Sequence, residues 1–227
     1  MLPVQHTSCY NCSIISTEIQ MLTDMMVVLA KQRAIVIGRV KEGFYMSNPN
    51  RILWVTRTAI FIALLITLQS VTRPMGQYVT GSLVNLVLIL SVTLSGLWSG
   101  VTVALLSPVF AFLLGIGPAL PPVVLFIMLG NLSLAIVWSL IAGQTTSDRI
   151  MCALVVSAVV GAAVKCLVLY FGIVKFAVPV LLKLPDPQAT VVSASFSLPQ
   201  LVTASIGGAV AVLLTPLLRK AIRRSVN

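Results

Sequence analysis

The stretch Leu120–Ala142, which reads LPPVVLFIMLGNLSLAIVWSLIA, contains no charged residue. As a helix it is long enough to cross the roughly 30 Å hydrocarbon core of a bilayer, which requires about 20 apolar residues. Five further stretches are also apolar and mostly uncharged: Leu53–Ser70, Val79–Ser95, Val101–Ile116, Ile150–Phe171 and Phe196–Leu218. Backbone groups in lipid must form their hydrogen bonds internally, so we expect helices. The sequence therefore predicts an all-α integral membrane protein with six transmembrane helices.

The composition of the whole chain also indicates a membrane protein. Apolar residues make up 58% of the chain and charged residues only 9%, whereas about a quarter of a soluble domain is charged. A short glycine-bounded segment, Gly96–Gly100, separates the second and third apolar stretches. We therefore expect these two spans to form a helical hairpin.

The positions of lysine and arginine predict how the spans are oriented. Cations lie before or near the start of span one, after span four and after span six. Six spans place these three regions on one side: Lys31, Arg33, Arg39, Lys41, Arg51, Arg57, Arg149, Arg219, Lys220, Arg223 and Arg224. The opposite side has Arg73 and Lys183, with Lys175 near the boundary. The positive-inside rule then predicts an N-in/C-in topology. We attribute the net charge of +10 to this topology and to anionic lipid, and we expect no nucleic-acid partner.

The first 45 residues differ from the rest of the chain. Met1–Tyr45 contains no apolar stretch long enough to span a membrane and no cleavable signal pattern. It is either a short cytoplasmic extension or a segment that is not made. Lys41-Glu42-Gly43 can be encoded by a strong bacterial ribosome-binding sequence just before Met46, so we expect translation to start near Met46. The membrane domain is then residues 46–227.

The residues that most reactions require are missing from the predicted spans. Asp148 and Asp186 are the acidic residues after residue 45, and both lie between spans; the single histidine, His6, lies in the N-terminal segment. No P-loop or HExxH motif occurs, so we expect neither a catalytic site nor ATP binding by this chain. Cys9 and Cys12 lack a second ligand pair, so we expect no metal site. A proton-coupled carrier is disfavoured because it normally needs a titratable group at depth.

Polar side chains recur at one predicted depth, in the outer half of the membrane. Asn85 on span two shares a helical face with Tyr78, Asn131 lies near the middle of span four, and Gln200 begins span six. The amides could equally serve as interhelical hydrogen-bonding groups. Tyr78 and Trp138 could stack on a ring or act as interfacial anchors.

Lys165 is the one cation near the middle of a predicted span. It lies about 22 Å along span five by helical rise, level with the amides. Its long stem could let it snorkel to the headgroups, or its ammonium could contact carbonyl groups of the protein. The small residues Ala158, Gly161 and Ala162 on the same face favour an inward orientation, because small residues mark helix contacts in membranes. An inward ammonium without an acidic partner favours a ligand that carries a negative charge.

Several short runs resemble one family of membrane proteins. Residues 46–227 resemble the substrate-binding S components of bacterial energy-coupling factor (ECF) vitamin transporters. The similarity lies in six spans, the AxxxA strip Ala59 and Ala63, and four runs: Gly76–Asn85, Leu113–Pro118, Leu129–Asn131 and Pro199–Ala204.

The resemblance implies a function and a set of partners. Such proteins bind a vitamin or related micronutrient in an outward pocket, without a prosthetic group, in the bacterial cell membrane. Ala59 and Ala63 would dock on a transmembrane coupling protein with two ABC ATPases, which would hydrolyse the ATP. Alternatives from the residues alone are a small secondary carrier and a structural membrane protein.

The predicted substrate site combines the polar level with the loop after span one. Arg73 in that loop could steer anions or be an ordinary solvated arginine, and the loop itself could act as a gate. The predicted substrate-binding residues are Arg73, Gln77, Tyr78, Asn85, Asn131, Lys165 and Gln200.

Overall fold

The computed structural model describes residues 49–116, 118, 120–143 and 150–226. Every regular element within these residues is helical, and they contain no strand. The predicted all-α class is therefore confirmed. The N-terminal segment Met1–Tyr45, the expected start at Met46 and the loop with Asp148 and Arg149 lie outside the described residues.

Nine helical segments follow one another along the described part of the chain. The α-helices are α1 (Pro49–Thr72), α2 (Gln77–Ser95), α3 (Leu97–Leu113), α4 (Pro121–Ala142), α5 (Ile150–Leu169), α6 (Asp186–Ser195) and α7 (Leu198–Val226). A 3₁₀ turn at Arg73–Met75 follows α1, and a π-helical segment at Tyr170–Leu182 continues α5. Residues 54–217 form one compact unit; residues 49–53 and 218–226 are assigned to a second unit.

Five of the described helices are long and apolar enough to cross a membrane: Arg51–Met75, Gln77–Ser95, Pro121–Ala142, Ile150–Leu182 and Asp186–Lys220. The remaining apolar helix, α3, has 17 residues, which is slightly short for a span. The protein is therefore a multi-pass membrane protein with five to six helices able to span. The count of six and the N-in/C-in orientation stay predictions.

The expected hairpin between the second and third apolar stretches is present. Gly96 ends α2 with a φ of 88°, a conformation that glycine adopts without steric cost, and its N–H donates to the carbonyl of Val92. The next helix begins at Leu97. The glycine therefore reverses the chain in a single residue.

Large apolar side chains fill the interior of the unit 54–217, including Phe61, Leu65, Leu134 and Leu154. Other large apolar side chains point outward, among them Val159, which is 65% exposed. A helix that is apolar on all sides suits a lipid environment, in which the outer face needs no polar cover. The buried apolar side chains therefore pack between helices, and the exposed ones are suited to contact lipid.

The chain between Phe171 and Phe196 is largely helical, although it lies between two predicted spans. The π-helical segment extends α5 to Leu182, and α6 then starts at Asp186 with Pro187 in its first turn. Proline is favoured there because its fixed φ suits a helix and its missing N–H would have no partner. α6 packs on the π-helical segment and ends two residues before α7 begins.

Candidate functional site

Lys165 lies on α5 inside the bundle and is 3% exposed. Its Nζ donates to Oδ1 of Asn85 on α2 at 2.5 Å and to Oδ1 of Asn131 on α4 at 2.7 Å. Both asparagines are buried. Three helices that are distant in sequence therefore meet at one ammonium, and the side chain is not in a snorkelling conformation. We call Asn85, Asn131 and Lys165 the lysine–amide cluster.

The ammonium of the cluster has no acidic partner in the part of the chain that the structure describes. The acidic residue among the described positions is Asp186, which is exposed at the start of α6. Two amide dipoles take the place of a counter-ion. A buried charge is costly to leave without an opposite charge, so the cluster is suited to receive an anion.

The first half of α7 closes one side of the cluster. A Cβ added at Gly207 would lie 2.5 Å from the carbonyl oxygen of Ser82 and 2.8 Å from Cβ of Asn85. One turn away, the buried side chain of Thr203 lies against Gly81 of α2. Small residues thus let the α7 backbone approach α2 beside Asn85, as expected for helix packing in membranes.

The predicted site residues near the start of α2 are separate from the cluster. Arg73 is exposed in the 3₁₀ turn, and Tyr78 is 54% exposed. Gln77 donates from Nε2 to the carbonyl oxygen of Ser195 at 2.6 Å. The loop after α1 is therefore tied to the end of α6, which suits a cover over one end of the bundle.

Gln200 and Trp138 also lie apart from the bonds of the cluster. Gln200 is half-buried in the first turn of α7, and its backbone carbonyl accepts a hydrogen bond from Thr203 Oγ1 at 3.1 Å. Trp138 is buried on α4 and donates from Nε1 to Oγ1 of Thr93 on α2 at 3.0 Å. The structure therefore brings together Asn85, Asn131 and Lys165. It does not join Arg73, Gln77, Tyr78 or Gln200 to them by hydrogen bonds.

Gln69 is a polar residue that the sequence interpretation missed. It is buried on α1, and its Oε1 has no hydrogen-bond partner among the described residues. Thr72, three residues further along α1, is bonded to Thr80 of α2 at 3.0 Å. Gln69 therefore lies about 4.5 Å deeper than that bond by helical rise, near the level of Asn85. The signal that would have identified it is that Gln69 is the one amide in the span Leu53–Ser70.

A cleft of about 450 Å³ opens between the π-helical segment and α6. It is lined by Tyr170, Val174, Ala189, Thr190, Ser193, Ala194 and Ser197. The carbonyl of Ser197 accepts a weak hydrogen bond from Sγ of Cys166, the residue after Lys165, at 3.7 Å. One lining residue of the cleft is therefore bonded to the residue next to Lys165. The described residues contain no group of His, Cys, Asp and Glu side chains that could hold a metal ion.

Apolar helices around a buried, acid-free polar cluster define a multi-pass membrane protein with a candidate site for a small solute. The family model for the substrate-specific component of ECF transporters matches residues 54–219. The chain belongs to this family, as its sequence resemblance indicated. No curated protein and no solved structure matches the chain.

Proposed function

We propose that this protein captures a small vitamin or related micronutrient, with a negative charge, for an ATP-driven importer of the bacterial cell membrane. Membership of the substrate-specific components supports the role in capture. The lysine–amide cluster is the observation that supports a charged ligand, because a buried cation there faces two neutral amides. Asn85, Asn131 and Lys165 would contact the ligand directly.

Residues around the cluster would serve entry and enclosure of the ligand. Gln77, bonded to Ser195, would hold the loop after α1 against α6 while a ligand is enclosed. Tyr78 and Gln200 would line the approach, and exposed Arg73 would attract anions to it. Long-range attraction of this kind raises the rate of encounter more than the final affinity.

The energy for import would come from partner subunits. No nucleotide-binding motif occurs in the sequence, so a transmembrane coupling protein and two ABC ATPases would supply ATP hydrolysis. Ala59 and Ala63 lie on an exposed face of α1. Small side chains there would let a helix of the coupling protein approach the α1 backbone closely.

Co-expression with the coupling protein and ATPases of the source organism tests this function. We expect the wild-type chain to co-purify with them and to support ATP-dependent uptake. The double variant Ala59→Leu/Ala63→Leu should reduce co-purification by about tenfold or more, which corresponds to about 1.4 kcal/mol, because the added side chains separate the two helices.

A matched control is the double variant Ala163→Leu/Ala209→Leu, which adds the same bulk at exposed positions of α5 and α7. We expect this control to co-purify normally. Failure of the wild-type chain to assemble with the module would contradict the proposed function. Equal loss with both double variants would contradict docking through α1.

A further inference from the structure

Some hydrogen-bonding groups of the lysine–amide cluster have partners within the cluster, and others do not. An ammonium has three N–H donors, and Lys165 directs two of them to Oδ1 of Asn85 and of Asn131. The amide oxygens therefore face the ammonium. For another partner, each asparagine still has the two donors of Nδ2 and the second lone pair of Oδ1.

The two Nδ2 groups are free to donate. Neither group donates a hydrogen bond to any residue that the structure describes. Three polar side-chain atoms of the described chain are fully enclosed and have no hydrogen-bond partner: Gln69 Oε1, Ser95 Oγ and Ser107 Oγ. The two Nδ2 groups are not among them. Both Nδ2 groups therefore lie in a buried cluster with no acceptor for them among the described residues.

We propose that the lysine–amide cluster binds the carboxylate of a monoanionic ligand. Nζ of Lys165 and Nδ2 of Asn85 and Asn131 would donate to its two oxygens. This inference rests on the proposed function and adds the chemical group that the site recognises. A carboxylate accepts hydrogen bonds at both oxygens and donates none when ionised, which matches the three sources of N–H in the cluster.

The charge of the cluster favours a carboxylate over a phosphate. The cluster carries a single positive charge, which a carboxylate balances fully. A phosphate monoester carries about −1.5 to −2 at pH 7, so it would leave a net negative charge in a buried site. Phosphate sites also commonly use helix N-termini, whereas these three residues lie within the bodies of α2, α4 and α5.

Thermal unfolding of the purified full-length protein in detergent tests the proposal with matched pairs of probes. Each pair sets a carboxylate against a neutral counterpart: biotin and biotinamide, pantothenate and panthenol, nicotinate and nicotinamide. Pyridoxal 5′-phosphate and pyridoxal test the phosphate. We expect at least one carboxylate to raise the melting temperature by several degrees, while its neutral counterpart and the phosphate do not.

Two variants connect the response to the cluster. Lys165→Met removes the charge and should weaken carboxylate binding at least about tenfold, as expected for losing a charge-assisted hydrogen bond. Asn85→Asp places a carboxylate beside the ammonium without changing the size of the side chain. It should abolish the response to the probe and raise the melting temperature of the ligand-free protein, because the cation is then paired within the protein.

The control is Lys175→Met, which removes an exposed lysine and should leave binding unchanged. Equal stabilisation by a neutral or phosphate probe would overturn the carboxylate assignment and leave the capture function intact. Undiminished carboxylate binding in Asn85→Asp would also overturn it. Absence of any response across charged and neutral probes would count against both proposals.

Discussion

Trp138 shows how a single side chain can join two helices in the membrane. It is 1% exposed on α4, and its indole N–H bonds to the hydroxyl of Thr93 on α2. The sequence left open whether this ring stacks on a ligand or anchors the chain at the interface. Burial rules out an interfacial anchor, and the hydrogen bond assigns the side chain a role in holding α2 against α4.

Replacing this tryptophan with phenylalanine should lower the free energy of unfolding by about 1–3 kcal/mol. The variant loses the hydrogen bond and part of the buried ring. Reversible unfolding of Trp138→Phe in detergent would measure the change, with Thr93→Val as the partner in a double-mutant cycle. Strictly additive losses in the double variant would show that the bond contributes nothing.

At the scale of elements, the contact between α7 and α2 depends on Gly207. The space beside it is occupied by the α2 backbone at Ser82 and by the side chain of Asn85. A backbone carbonyl cannot move aside as a flexible side chain can. An added methyl group must therefore push the two helices apart beside Asn85, which we propose contacts the ligand.

Gly207→Ala should consequently reduce stability by about 1–3 kcal/mol, the usual cost of overpacking, and should also weaken ligand binding. The control Ala209→Val adds two methyl groups on the exposed face of the same helix and should change neither property. Melting temperatures of both variants, with and without a stabilising probe, would make the comparison. An unchanged melting temperature for Gly207→Ala would show that the helices separate freely here.

The sequence was informative wherever one pattern dominated an element. Long apolar runs predicted helices that the structure contains, and the glycine-bounded segment Gly96–Gly100 predicted the hairpin. Only Gly96 separates the two helices, because residues 97–100 already belong to α3. Helical rise alone placed Asn85, Asn131 and Lys165 at one depth, and the structure joins them directly. Depth along a helix follows from residue counting, so this part of the site could be predicted.

Other features depended on contacts that residue counting does not reveal. α6 is short and contains several hydroxyl residues, so no apolar run predicted it. The bond between Gln77 and Ser195 joins residues that are 118 positions apart. Gln69 was missed because its importance comes from a buried oxygen without a partner, and burial is a property of the packed bundle.

At the scale of the whole molecule, positive charge occurs in two different environments. Lys165 is enclosed by three helices, whereas Arg73 and Lys175 are exposed. The described acid, Asp186, is exposed as well. Lys183 is exposed too, and Arg57 is partly buried. Among residues 54–217, Lys165 is therefore the one fully buried charged side chain.

The enclosure of Lys165 has a consequence for how ionic strength affects the ligand. Dissolved ions screen charges at a surface over about 8 Å at physiological salt, but they screen buried charges much less. Attraction at Lys165 should therefore persist when sodium chloride is raised from 50 to about 500 mM, whereas attraction at Arg73 should fade. Measured over this range, a nearly constant dissociation rate with a falling association rate would show that the anion is steered by surface charge and held by an enclosed one. A dissociation rate that rises steeply with salt would contradict recognition at Lys165.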